Sequence, residues 1–223
     1  MMKVNVLGVI GSPRHGNTEI LIREALKAAG DTGEVEAKVI HLADITIKPC
    51  TGCMRCLYAE EAEERICLEH KDDMPYEQLI EADGIIVGSP VYVGSITAQT
   101  KAFLDRTEPL TPYAKRIRLR SALRNKVGGA ISVGANRNAG QETTIQAIHN
   151  CFYAHHMILA SAGIDEPGYG CFYGGAGVLH PKRGVVLDAV REDELGLKSS
   201  RGLGRRVAEV AKLVKIGTSA KEQ

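Results

Sequence analysis

Val4-Asn5-Val6-Leu7-Gly8-Val9-Ile10 runs directly into Gly11-Ser12-Pro13-Arg14-His15-Gly16-Asn17-Thr18. The first stretch is short, apolar and rich in β-branched residues, which predicts a buried strand. The second is built of Gly, Ser, Pro and Asn, and from residue 18 to 29 apolar side chains recur at helical spacing. Strand, loop and helix in that order leave free backbone N–H groups at the helix start, where the dipole favours a phosphate. Ser12, Arg14, Gly16, Asn17 and Thr18 are the candidate contacts, with the hydroxyls and amide as added donors. Asn17 stands where a Walker A loop needs its lysine, which argues against nucleotide triphosphate hydrolysis. The G-x-G-x-x-G spacing of a dinucleotide pyrophosphate loop is missing too. One terminal phosphate, such as that of FMN, suits the loop better. The alternative is a plain strand-to-helix turn with Ser12 or Asn17 as N-cap, and the crowding of donors disfavours it.

Outward from this unit the alternation repeats. Strands are expected at 37–42, 84–88, 127–133 and 157–161, and helices at 75–82, 96–106, 141–155 and 203–214. Strands alternating with helices imply an α/β fold, a doubly wound five-stranded parallel sheet with helices on both faces. In such a sheet the ligand sits beyond the carboxyl ends of the strands, where the strand order reverses. Residues 1–223 are expected to form a single domain with a cysteine-rich insertion at about 48–70 and an irregular excursion at about 163–195.

The composition excludes several classes. Apolar residues are 44% and charged residues 25% of the chain, an ordinary globular balance. A net charge of +1 with the two signs interspersed gives no field to gather nucleic acid or an anionic membrane. No apolar run approaches the ~18 residues of a membrane span, and no signal-peptide pattern opens the chain, so a cytoplasmic protein is expected.

Two further loops fall at the same sheet edge. After the third strand come Ser89, Pro90, Val91, Tyr92, Val93, Gly94 and Ser95, whose backbone amides and Tyr92 ring suit the polar edge and face of a flavin. After the fourth come Gly134, Ala135, Asn136, Arg137, Asn138, Ala139 and Gly140, again polar and bounded by glycine. Convergence of the three loops favours a cofactor site over three independent turns.

Four of the six cysteines crowd into one segment. Cys50, Cys53 and Cys56 follow C-x2-C-x2-C, by which one wrapped loop can present three thiolates to a cubane, and Cys67 would be the fourth ligand after a ten-residue gap. A structural zinc site or unligated redox thiols are the alternatives. Glu60, Glu61, Glu63 and Glu64 in the gap are expected to be helical and solvated. His149, His155, His156 and Cys151 are read as packing or surface residues. Asp72 and Asp73 are read as helix-capping, Arg106 as an ordinary helix end, and residues 115–124 as a solvated basic face or an intersubunit patch.

These residues together resemble the iron–sulfur flavoprotein branch of the NADPH-dependent FMN reductase family, which has a flavodoxin-like fold. The resemblance rests on residues 11–18, on the cysteine segment leading to Asp72-Asp73-Met74, and on residues 82–86 running into Pro90-Val91-Tyr92. It continues through residues 101–106, 132–134 and 137–142. It implies FMN at the three loops, a 4Fe–4S cluster near the flavin, electron transfer in anaerobic metabolism, and a homo-oligomer, dimer or tetramer. Family members usually have a shorter gap before the last cysteine, which makes Cys67 the least typical ligand. The function expected is an FMN-dependent oxidoreductase that hands electrons to a redox partner protein or a small-molecule acceptor, with no side chain required as acid or base. A cluster-free NAD(P)H-dependent FMN or quinone reductase and a dedicated electron carrier are the rivals.

Overall fold

The computed structural model describes residues 3–58, 66–111, 121–163, 172–179 and 186–219. The opening strand, β1 (Val4–Ile10), lies between β2 (Val35–His41) and β3 (Gly84–Pro90), with β4 (Val127–Gly134) beyond β3. All pairs are parallel, and the order across the sheet is 2-1-3-4-5, so the order reverses between β1 and β3. Alternate side chains of β1 face opposite ways, as the two-residue strand period requires. Val4, Val6 and Ile10 enter one core while Leu7 and Val9 enter the other.

Each core is closed by its own helices. On one face α1 (Asn17–Gly30) contributes Leu21, Ile22, Ala25 and Leu26, and the last helix, α6 (Glu194–Ser219), contributes Leu203, Val207 and Ala211. On the other face lie Leu79 of α3 (Tyr76–Glu81), Phe103 and Leu104 of α4 (Ala98–Asp105), and Ile145, Ile148 and Phe152 of α5 (Gln141–Ala154). A four-residue turn of helix, α2 (Arg55–Tyr58), carries the third cysteine, Cys56. Each large aliphatic or aromatic side chain so buried stabilises the fold by about 1.5–3 kcal/mol. Both faces are therefore covered, as a parallel sheet requires.

The fifth position of the sheet departs from the expected single strand at 157–161. It is shared by β5 (Ile158–Leu159), paired to Val127 and Gly128, and β6 (Gly175–Val178), paired to residues 131–134 of β4. After Ala160, whose N–H still bonds the Gly128 carbonyl, the chain leaves the edge and returns fifteen residues later as β6. The expected irregular excursion thus contains a strand, although residues 164–171 and 180–185 of it lie outside the described residues. Helix α6 begins nine residues before the expected 203. Its first turns carry Gly196, Ser199, Ser200 and Gly202, poor helix formers that weaken the periodic signal. Asp193 compensates by accepting the Gly196 N–H at 3.1 Å and the Val178 N–H at 2.7 Å, capping the helix and tying it to β6.

Among the described residues no helix is long and apolar enough to cross a membrane.

Candidate functional site

Beyond the carboxyl ends of β1, β3 and β4 the three loops meet around a pocket of about 150 Å³. Ser12, Arg14, Asn17, Thr18, Pro90, Val91, Tyr92 and Gly134 line it, together with Val133, Ala135 and Leu179, of which only Leu179 went unmarked in the sequence. Gly16, Val93, Gly94, Asn136, Arg137, Asn138 and Gly140 stand outside the wall and shape the loops that form it. No lining residue is acidic and Arg14 is cationic, so the electrostatics favour an anion. The Thr18 side chain is 3% exposed, and among the described residues its hydroxyl has no protein partner. The backbone N–H groups in the first turn of α1 have no intrahelical acceptor either. An unspent hydroxyl beside unspent N–H groups suits an anion such as a terminal phosphate.

Each phosphate-loop residue has a distinct task. The Ser12 hydroxyl donates to the Arg14 carbonyl oxygen at 2.6 Å and accepts its N–H, which folds the loop tip. Gly16 has φ +148° and a Cβ there would meet the Leu187 carbonyl oxygen at 2.5 Å, so glycine is required. Asn17, expected to donate its amide to the phosphate, spends it elsewhere. Its Nδ2 donates to the Val186 carbonyl at 2.7 Å and its Oδ1 accepts the Val190 N–H at 2.9 Å. Asn17 anchors the loop to the segment before α6, and its own N–H is what it can offer the pocket. His15 bonds Glu19 at 2.9 Å and Asp44 at 3.0 Å, and these hydrogen bonds raise its pKa above the ordinary histidine value.

A buried knot of hydroxyls joins the first two loops. The Thr97 hydroxyl donates to the Gly11 carbonyl at 2.6 Å and Thr100 reaches the same oxygen at 3.0 Å, while Ser89 Oγ accepts the Thr97 N–H. Thr97 also caps α4 by accepting the Thr100 N–H. Ser89, Thr97 and Thr100 are fully buried. Nothing in the sequence marked Thr97 and Thr100, because their partners lie more than 80 residues away.

The ring loop ends in a tight turn. Tyr92 and Ser95 exchange both backbone hydrogen bonds, and the central residues Val93 and Gly94 both have positive φ, 49° and 77°. Such a turn favours Asn-Gly, and a β-branched residue at positive φ is strained. Val93 is nevertheless fully exposed. The third loop buttresses this turn: Thr143 donates to the Gly94 carbonyl at 2.7 Å and Gly140 packs on the Gly94 backbone.

The cysteine segment wraps through positive φ at Gly52 and Met54, and the Gly52 N–H points at Cys50 Sγ, 3.5 Å away. Cys50 and Cys53 are exposed, and Cys56 and Cys67 are half-buried. Burial pushes the Cys56 thiol up to about 11, and Cys67, Glu108, Cys53 and Cys50 add to the effect through their charges. The four glutamates of the gap between Cys56 and Cys67 lie outside the described residues.

What closes the segment is Arg106, the largest fully buried side chain, and not the ordinary helix end expected. Its guanidinium donates to the Lys48 carbonyl, the His70 carbonyl and both oxygens of Asp73. Asp73 also accepts the Lys48 N–H, so its task is this ion pair and not helix capping. Burial raises the Asp73 carboxyl, but the Arg106 and Lys48 hydrogen bonds outweigh it and hold the pKa below the usual range. Tyr76 completes the closure: its hydroxyl accepts the Cys67 N–H at 3.2 Å and donates to the Arg106 carbonyl at 2.8 Å.

His155, Thr107, Ser121 and Cys151 form a buried group beside this segment. His155 bonds the Thr107 hydroxyl at 2.8 Å and the Ser121 hydroxyl at 3.0 Å, consistent with a packing role.

A 2-1-3-4-5 parallel sheet with phosphate and ring loops at its switch point defines a flavodoxin-like flavoprotein. Compared with known proteins, residues 4–164 match the NADPH-dependent FMN reductase family. The chain belongs to that family, in its iron–sulfur flavoprotein branch, and is an FMN-dependent oxidoreductase. It is 46% identical over 215 residues to an iron–sulfur flavoprotein of Methanocaldococcus jannaschii, covering 95% of this chain and 100% of that protein. An iron–sulfur flavoprotein of Methanosarcina thermophila is 34% identical over 95% of this chain and 97% of its own. Among solved structures, a WrbA-like flavodoxin from Agrobacterium tumefaciens superposes with a TM-score of 0.58 at 19% identity, covering 95% of this chain and 99% of that one, a likeness of fold.

Proposed function

We propose that this chain couples FMN at the three-loop pocket to a 4Fe–4S cluster held by Cys50, Cys53, Cys56 and Cys67, and trades electrons singly with a redox partner protein or a small acceptor. The observation that carries this reading is α4. Thr97 at its amino end is bonded to Gly11 at the start of the phosphate loop, and Arg106 at its carboxyl end is bonded on both sides of the cysteines. Eight helical residues span about 12 Å, so one short rigid rod separates the two sites. When bound, the flavin takes or gives two electrons and the cluster one at a time.

The chain's own residues bind and orient. Thr18 and the first-turn N–H groups receive the phosphate, Tyr92 flanks the ring, and the hydroxyl knot fixes the angle between the two loops. Absence of a pyrophosphate fingerprint favours FMN over FAD. The C-x2-C-x2-C spacing supports a cluster over zinc, whose structural sites more often use two separated C-x2-C knuckles. A cavity of about 690 Å³ opens between Cys50 and Met54 on one side and Ser95, Ile96 and Thr97 on the other, large enough for a small acceptor. The relatives' names support the cluster, and the family resemblance supports a single-domain chain assembling as a dimer or tetramer.

Iron, sulfide and flavin per chain, measured on protein purified without oxygen, test the reading. Wild type should carry all three, Cys53→Ala should lose iron and keep FMN, and Cys151→Ala should keep both. Wild type without iron, or Cys53→Ala with its full complement, leaves a cluster-free flavin reductase. A cluster-bearing protein that turns over no small acceptor is an electron carrier.

A further inference from the structure

Arg106 uses four of its five N–H groups on the segment that carries the cysteines. Nη1 donates to the Lys48 carbonyl at 2.7 Å and to Asp73 Oδ2 at 3.0 Å, and Nη2 donates to the His70 carbonyl at 2.7 Å and to Asp73 Oδ1. Lys48 precedes the first cysteine of the segment and His70 follows the last, so one guanidinium closes a loop of more than 20 residues at its neck. The fifth group, Nε–H, is buried with no acceptor among the described residues. A buried donor left unpaired in an otherwise fully bonded side chain marks a place where another acceptor belongs. Cys67 is tied to the same helix end: its backbone N–H is bonded to the Tyr76 hydroxyl, which in turn donates to the Arg106 carbonyl.

We infer that Arg106 is a positioning residue of the cysteine site, its terminal nitrogens locking the neck of the loop and its Nε–H donating a hydrogen bond to sulfur of the bound cluster, an inference that rests on the iron–sulfur reading above. A hydrogen bond to cluster sulfur favours the reduced, more negative state and so raises the potential. Lysine keeps the positive charge and can still reach Asp73 and one carbonyl, but has no counterpart of Nε. The two effects of Arg106, charge and Nε donation, are therefore separable.

The experiment uses the full chain purified without oxygen as wild type, Arg106→Lys and Tyr76→Phe. Iron and sulfide content, the cluster midpoint potential by EPR-monitored titration, and FMN affinity as a test of folding are measured on each. All three proteins, grown with ¹⁵N-arginine, are examined by pulsed EPR in the reduced state. Arg106→Lys should bind FMN normally and shift the one-electron equilibrium about tenfold toward the oxidised cluster, a fall of about 59 mV. The ¹⁵N coupling should be present in wild type and in Tyr76→Phe and absent in Arg106→Lys. A wild-type midpoint in Arg106→Lys, or no ¹⁵N coupling in wild type, overturns the inference. If Arg106→Lys fails to bind FMN it has not folded, and the wild-type nitrogen coupling alone decides. Wild type without iron overturns the iron–sulfur reading, and this inference with it, and is seen before any variant is compared.

Discussion

The Thr97 hydroxyl donates to the Gly11 carbonyl oxygen at 2.6 Å, across a buried space that draws the loop after β1 against the loop after β3. Both ends of that contact are tight. A Cβ on Gly11 would lie 2.0 Å from the Thr100 hydroxyl oxygen and 2.8 Å from the Gly88 carbonyl oxygen, neither of which is the end of a long flexible side chain. Gly11→Ala should therefore destabilise the fold by about 3 kcal/mol, the upper end of ordinary overpacking, and weaken flavin binding with it. Urea unfolding of the flavin-free protein and an FMN titration measure the two. An alanine variant with wild-type midpoint and affinity would show that the knot is looser than its distances indicate.

Thr18→Ala separates binding from stability. The hydroxyl has no partner to lose among the described residues, so stability should change by no more than about 1 kcal/mol, the loss of one buried methyl. FMN binding should weaken by about 1–2 kcal/mol, the loss of one hydrogen bond to a charged group, or roughly five- to thirtyfold in Kd. Flavin fluorescence quenching reads the affinity. An unchanged Kd removes Thr18 from the phosphate contacts.

Val93→Asn tests the strain in the ring-loop turn. Asparagine tolerates positive φ and followed by Gly94 completes the favoured Asn-Gly pair, while the exposed valine gives up no packing. The flavin-free variant should gain about 1 kcal/mol in denaturant unfolding. If FMN affinity falls at the same time, the strained valine is retained for contact with the flavin. A variant less stable than wild type would contradict the strain argument.

His155 predicts the acid limb of stability. Burial pushes its pKa down to about 4, with His156 adding to the effect, against about 6.5 in the unfolded chain. Between those values the unfolded state binds more protons, so stability rises with pH there. The contribution is complete above about pH 6.5, falls as pH drops toward 4, and is constant below it. Its size is on the order of 3 kcal/mol. Unfolding midpoints from pH 7 to 4 in wild type and His155→Gln check this. The glutamine variant should have the flatter profile, and parallel profiles would assign the acid limb to other groups.

The sheet and the three loops were legible in the sequence because each is announced locally. The β-branched run of residues 4–10, the donors crowded into residues 11–18 and the glycine-bounded loop at 134–140 all carry their signal within a dozen residues. The misreadings share one cause, which is distance along the chain. Arg106 finds Lys48, His70 and Asp73 at separations of 58, 36 and 33 residues, and Asn17 finds Val186 and Val190 at 169 and 173. No spacing rule encodes such a pair. Strand β6 and the start of α6 were missed for a related reason. Their glycines and serines lower local propensity so that strand and helix can approach, as where Gly196 packs on the Cα of Gly177.

The tie between Asn17 and the segment before α6 bears on the order of events as the protein is made. The loop proposed to receive the phosphate is made early, yet its geometry is completed by Val186, Leu187 and Val190, about 170 residues later. A nascent chain halted before residue 186 has β1, the loop and α1, but not the backbone against which Gly16 and Asn17 are set. Flavin capture is therefore expected only once residues 186–190 have been made, and chains cut before them should hold the cofactor poorly.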